Sequence, residues 1–197
     1  MMHADFDRHE IGVLISILNN KGIHYLIGEG VTLTVEEENI EATFLIQRLA
    51  ACSYPLVESA TISLLILQPE LAPAAVAALR DSAGRIAENI AVLILATLYL
   101  QQWWLFRLTF ALDRLPSFPE APFVALWEER HLPAPSQGYG LDGLLALQEY
   151  EQQRYKLPLN FRHAWQNQIN HLLTQEEAHK RSLSDDLIQT FEANEYG

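Results

Sequence analysis

The 197-residue chain has one cysteine, Cys52, and only three lysines, Lys21, Lys156 and Lys180. A single cysteine excludes an intrachain disulfide scaffold. With no histidine beside it in the sequence, Cys52 reads as a buried, inert thiol. The ten arginines are scattered singly, and the formal net charge is −12. There is therefore no basic cluster of the kind that displaces counterions from a phosphate backbone. This argues against direct nucleic-acid binding and against docking on an anionic bilayer. A basic start followed by an apolar run is also missing, so a cytoplasmic location is expected. The longest apolar run, Ile90 to Leu100, falls short of the roughly 20 residues a membrane span needs. Gln101, Gln102 and Arg107 interrupt its continuation, and it reads as a helix buried in a core.

Catalytic signatures are missing too. The chain has no P-loop, no Rossmann glycine fingerprint, no Gly-x-Ser-x-Gly elbow and no His-Glu-x-x-His. No cofactor is expected, and no cleft of converging ionisable side chains.

What is present is apolar material in quantity: 49% of residues are hydrophobic and 10% aromatic. That suffices for the core of a single helical domain over residues 1–197. Ile11, Leu14, Ile15 and Leu18 fall on one face of a first helix that Asp7 and Glu10 would cap and Gly22 would end. Two β-prone runs, Ile23 to Ile27 and Val31 to Val35, flank Gly28-Glu29-Gly30, which predicts a small hairpin near residues 23–35. Thr34-x-x-Glu37 marks the next helix start, with Ile40, Phe44, Leu45 and Leu49 on its buried face. Ser53 is placed to cap a helix from Leu56 to Leu67 that is apolar on nearly every side, and Pro69 ends it. Leu71 to Arg80 is an alanine-rich helix. Ser82 is placed to cap the longest helix, Ala83 to Leu112, which at 1.5 Å per residue would be about 45 Å long. Prolines 116, 119 and 122 break the chain before a short helix that ends near Arg130. Further helices are expected from Leu141 to Pro158, through Phe161, Trp165, Ile169 and Leu172, and from Ser184 to Ala193, docked by Leu187, Ile188 and Phe191. The fold class is all-α, with about eight helices around the Ala83–Leu112 pillar.

Few residues suggest chemistry. Glu-x-x-His occurs as Glu128 with His131 and as Glu176 with His179. Di-metal bundles use two such pairs plus two further glutamates, here Glu58 and Glu88. Against a metal site, His131 lies two residues before Pro133, and Glu176 and His179 lie in a wholly polar stretch. His163, His171 and His179 recur every eight residues, a spacing that turns each away from the last on a helix. His3, Asp5, Asp7, His9 and Glu10 form a polar terminus. Gln137 to Gly143 is a glycine-rich helix entry whose Asp142 would repel a phosphate, so it reads as a turn. Trp103 and Trp104, with Arg107 one turn on, are the candidates for an interaction or ligand surface. Adjacent tryptophans point about 100° apart on a helix, so at most one faces the core fully.

Gly22 to Gly28 is similar to the opening strand of minimal nucleotidyltransferase domains. The Gly-Ser pair and the paired aspartates that fix Mg²⁺ in those enzymes do not follow it. Nor does the chain have the Arg followed four to six residues later by His of a HEPN-type ribonuclease. Three segments, Tyr54 to Leu71, Leu98 to Trp104, and Leu132-Pro-Ala-Pro with Tyr139 to Leu147, resemble a family of bacterial all-helical proteins associated with nucleotidyltransferase-fold partners. The likeness covers roughly two thirds of the chain, rests on packing and turn signatures, and brings no catalytic residue with it. It implies an antitoxin-like or accessory subunit. The expectation is therefore a non-catalytic protein-interaction module that presents an acidic surface and an aromatic patch to a protein partner, with a homodimer compatible with the apolar excess. The alternatives are a helical metalloprotein built on Glu128, His131, Glu176 and His179, or a bundle holding a small molecule beside Trp103 and Trp104.

Overall fold

The computed structural model describes residues 8–28 and 31–195, with side chains as far as Leu183. Among the described residues there are ten α-helices and no strand. The first helix, α1 (Arg8–Asn20), buries Leu14, Ile15 and Leu18 as its periodicity predicts. Gly22, at φ +92°, closes it with a Schellman pair: its N–H donates to Asn19 and that of Ile23 to Leu18. Asp7 lies outside the described residues.

The hairpin is not formed. Two strands alone are marginal in water, and the segment after Gly22 finds better partners. Ile23 and Leu26 are buried among the helices. The backbone polar groups are met by side chains instead of a second strand: Gln175 accepts from the His24 N–H (2.6 Å) and donates to the Gly22 carbonyl (2.7 Å). Glu29 and Gly30 are outside the described residues.

Thr34 and Glu37 form the full reciprocal capping box, but α2 (Val35–Glu38) is a single turn. The buried face belongs to α3 (Ala42–Ala51), where Leu45 and Leu49 are buried and Phe44 is exposed. Next come α4 (Pro55–Leu67), α5 (Ala72–Asp81) and α6 (Gly84–Trp103). Neither serine caps as expected. Tyr54 and Ala83 occupy the cap positions without a side-chain bond, and the Ser82 hydroxyl accepts from Gln47 instead.

The pillar is α6, buried without interruption from Asn89 to Gln101. It packs against α3, α4 and α5 and against α9 (Leu141–Tyr155). It is not a straight helix to Leu112. After Trp103 the chain turns by 86° into α7 (Leu105–Leu112). The turn places Leu108 and Ala111 in the core, where both are buried. It also sets α7 against α10 (Phe161–Glu195), whose Lys180 bonds the Phe110 carbonyl and Asp113. Gln101 folds its amide onto the backbone of Phe118, donating at 3.0 Å and accepting at 2.9 Å, so this buried polar group is fully met. No single described helix is long and apolar enough to cross a membrane. The short helix before Arg130 is α8 (Val124–Glu129). The last expected helix is not separate, because α10 runs through to Glu195 unbroken. The docking expected of Leu187, Ile188 and Phe191 falls outside the described side chains.

Two buried clusters meet along α4. One gathers α1, Ile23, Leu26 and faces of α3 and α4; the other centres on α6. Tyr25, Leu67 and Leu71 border both. The glycine-rich turn brings α9 onto α6. Gly138, Tyr139 and Gly140 are all left-handed. A Cβ on Gly140 would sit 2.1 Å from the Tyr99 carbonyl oxygen, and one on Gly143 2.1 Å from the Tyr99 ring. The glycines permit close packing, and the Tyr99 hydroxyl locks it by donating to the Pro133 carbonyl at 2.8 Å.

Candidate functional site

The 86° turn decides what α7 presents. Leu108 and Ala111 face inward, so Phe106 and Phe110, one turn apart, face outward and are 89% and 82% exposed. Burying a phenylalanine is worth about 1.5–3 kcal/mol, so this pair leaves a large gain unused. Trp103 and Trp104 straddle the turn and pack edge to face, ring centres 5.7 Å apart. Both are half-buried against the α6 core, because the helix ends between them and the 100° rule for neighbours no longer applies. The Arg107 guanidinium covers the Trp104 ring at 4.7 Å, and Lys180 stands 5.6 Å from the Phe110 ring centre. Of the three residues singled out in the sequence, Arg107 is exposed and the tryptophans support α7 from beneath. Phe106 and Phe110 were not separable from core residues by pattern.

A second arrangement lies toward the N-terminal end of α6. Glu88 and Asn89 open the buried part of that helix, Glu58 comes from α4, and Tyr150, Glu151 and Arg154 come from α9. Glu88 takes a forked bond from Arg130 (3.0 and 2.7 Å) and a third from the Tyr150 hydroxyl (2.9 Å). Burial pushes its carboxyl up, but these bonds outweigh it and hold the group below the usual range. Asn89 donates to Glu58 and to the Ala50 carbonyl, both at 2.9 Å, and accepts from Arg154. Arg154 also lies 3.2 Å from Glu151, whose side chain is only 5% exposed, and over the Tyr155 ring. Burial raises Glu151 to about 7, against the pull of Arg154. Burial likewise raises Glu58 to about 7, with Arg154 lowering it and the Glu151 charge adding to the push.

Beside these groups lies a cavity of about 240 Å³ walled by Phe161 and Trp165 of α10 and by Val92 and Leu93 of α6. No cleft of converging ionisable side chains is expected from the sequence; this small cavity brings two carboxylates, Glu58 and Glu151, into a mainly apolar lining. Its polar members Glu58, Asn89 and Glu151 come from three helices, with no local spacing to join them. The available signals were a glutamate in the otherwise apolar α4 and the i, i+3 pair of Glu151 with Arg154.

The metal candidates are dispersed. Among the described residues no three His, Cys, Asp or Glu side chains gather as a metal site. Glu128 and His131 are exposed, with His131 past the end of α8 at φ +53°. Glu176 and His179 line a shallow hollow with His24 and Gln175. Glu58 and Glu88 are committed to the contacts above. His3, Asp5 and Asp7 lie outside the described residues. Cys52 is buried at the end of α3, where burial pushes its thiol up. No protein-family model matches this chain, and no curated protein or solved structure shows similarity to it.

Proposed function

We propose that the chain is a non-catalytic interaction module that docks on a protein partner through α7. Phe106 and Phe110 are the anchors, with the exposed Arg107 beside them. The observation that carries this reading is the pair of phenylalanines, 89% and 82% exposed on a helix turned away from the pillar. Aromatic anchors that fill a partner's pocket dominate interface energetics. The exposed Arg107 suits an acidic group at the edge of the receiving groove. The resemblance to helical partners of nucleotidyltransferase-fold proteins supports a partner of that fold.

The test is calorimetry of the purified chain with the nucleotidyltransferase-fold protein of the same genome, beside a Phe106→Ser/Phe110→Ser variant. The expected result is a complex that the double substitution weakens by about 30-fold or more, roughly 2 kcal/mol. Equal binding by both chains, or none by the wild type, overturns the reading.

A further inference from the structure

The polar groups around Glu58 and Glu151 do not balance. Three carboxylates, Glu58, Glu88 and Glu151, face two guanidinium groups, Arg130 and Arg154. Arg130 is spent on Glu88 in a forked pair. Arg154 alone is left for the other two, and it also bonds Asn89 and the Tyr155 hydroxyl. Arg85 acts on Glu58 only from the solvent side. When all three carboxylates are ionised, Glu58 feels the charges of Arg154 and Arg85 but has no guanidinium ion-paired to it among the described residues. Burying such a charge is costly unless a partner arrives or a proton neutralises it.

The shortfall is also visible atom by atom. Glu151 Oε1 and Arg154 Nη1 are both buried, yet neither has a hydrogen-bond partner, because their 3.2 Å approach is out of line. The Glu151 side chain lines the cavity. Another part of the lining is aromatic: Tyr155, Phe161 and Trp165 form a row, with successive ring centres 5.5 and 6.0 Å apart and planes within 30°. Arg154 already lies over the Tyr155 ring, so Phe161 and Trp165 offer the wall's apolar surface. An anionic floor, an aromatic wall and the apolar sides Val92 and Leu93 converge on about 240 Å³, smaller than pockets for drug-sized molecules.

We propose that this cavity binds a small organic ammonium ion carrying an apolar or aromatic group. The ammonium would bond Glu151 and Glu58, and the apolar group would lie against Phe161 and Trp165. This site is separate from the α7 surface and does not depend on it. A proton competes for the same place. Glu58 is faced by Arg154 and Glu151 from α9 and by Arg85 from α6. Glu151 is faced by Arg154 on its own helix, by Glu88 from α6 and by Arg130 beyond α8. From α10 the cavity receives only Phe161, Ala164 and Trp165, none of which titrates. Burial raises both carboxyls to about 7, so binding should strengthen from pH 5 to pH 8.

The experiment titrates 2-phenylethylammonium into the ¹⁵N-labelled chain at pH 8 and follows the assigned Trp165 indole cross-peak, one of four. Neutral 2-phenylethanol and anionic phenylacetate are the comparison probes. The expected result is saturable movement of the Trp165 peak, with the alcohol weaker by about tenfold or more and phenylacetate weaker still. Glu151→Gln should weaken the ammonium by about tenfold or more and leave the alcohol unchanged. No movement at about 10 mM ammonium, equal binding of ammonium and alcohol, or an unaltered Glu151→Gln variant each overturns the proposal. Glu58→Gln gives the same comparison if Glu151→Gln does not fold.

Discussion

Glu88 and Glu151 lie close together along the junction of α6 and α9, in similar company, and titrate in opposite directions. Glu88 receives three hydrogen bonds, two of them from a guanidinium dedicated to it, and its carboxyl is held down. Glu151 shares its guanidinium with Glu58, Asn89 and Tyr155, receives no hydrogen bond at Oε1, and its carboxyl is pushed up. The difference is one of allocation. Burial opposes both charges, and what decides the sign is whether the guanidinium is aligned and unshared. A matched pair stabilises a helix junction. A mismatched one costs stability and leaves a place for a cation.

The widest test moves both clusters together. Gly140→Ala drives a Cβ onto the Tyr99 carbonyl at a left-handed position, so α9 must shift away from α6. Urea unfolding should show a loss of about 3 kcal/mol or more, with the ion pairs on both sides loosened. The next perturbation acts on the matched cluster alone. Arg130→Met leaves Glu88 half-buried without its counterion and should cost about 2–3 kcal/mol at pH 7. Because the native Glu88 carboxyl is depressed, the stability it contributes is present above its ordinary value of 4.5 and lost as the pH falls through its folded value. The variant should therefore approach the wild type in acid.

Glu151→Gln should behave in the opposite sense. A carboxyl raised to about 7 binds its proton more tightly in the folded chain. Its favourable contribution is present below 4.5 and is lost as the pH rises through about 7. The variant should match the wild type near pH 4.5 and exceed it at pH 8, by on the order of 1–2 kcal/mol in denaturant melts. The smallest effect on stability belongs to α7. Phe106→Ser/Phe110→Ser should leave the unfolding free energy within about 0.5 kcal/mol, since these rings touch little in the isolated chain. A large loss there would mean that α7 is needed for the fold itself.

Much of the helical skeleton was legible because its signals are local. The i, i+3, i+4 face of α1, the glycine stop at Gly22, the Thr34–Glu37 box and the prolines flanking α4 each lie within a few residues of what they specify. The turn at Trp104 was not legible, since no proline or glycine marks it. It is imposed by what Leu108 and Ala111 gain against the core and α10, a contact some 70 residues away in sequence, as in Phe110 with Lys180. The expected hairpin does not form for a related reason. Ile23 to Ile27 has strand-like composition, but Gln175, far along the chain, meets the backbone groups a second strand would have met. Glu58, Asn89 and Glu151 come from α4, α6 and α9, so only the packed fold could bring them together.

The most direct measurement is a pH titration of the glutamate side-chain ¹³C carboxyl signals by NMR in the free protein. Glu58 and Glu151 are expected to titrate around 7 and Glu88 below the ordinary 4.5. If all three titrate together near 4.5, Arg154 neutralises both of its glutamates and there is no surplus charge for a cation to meet.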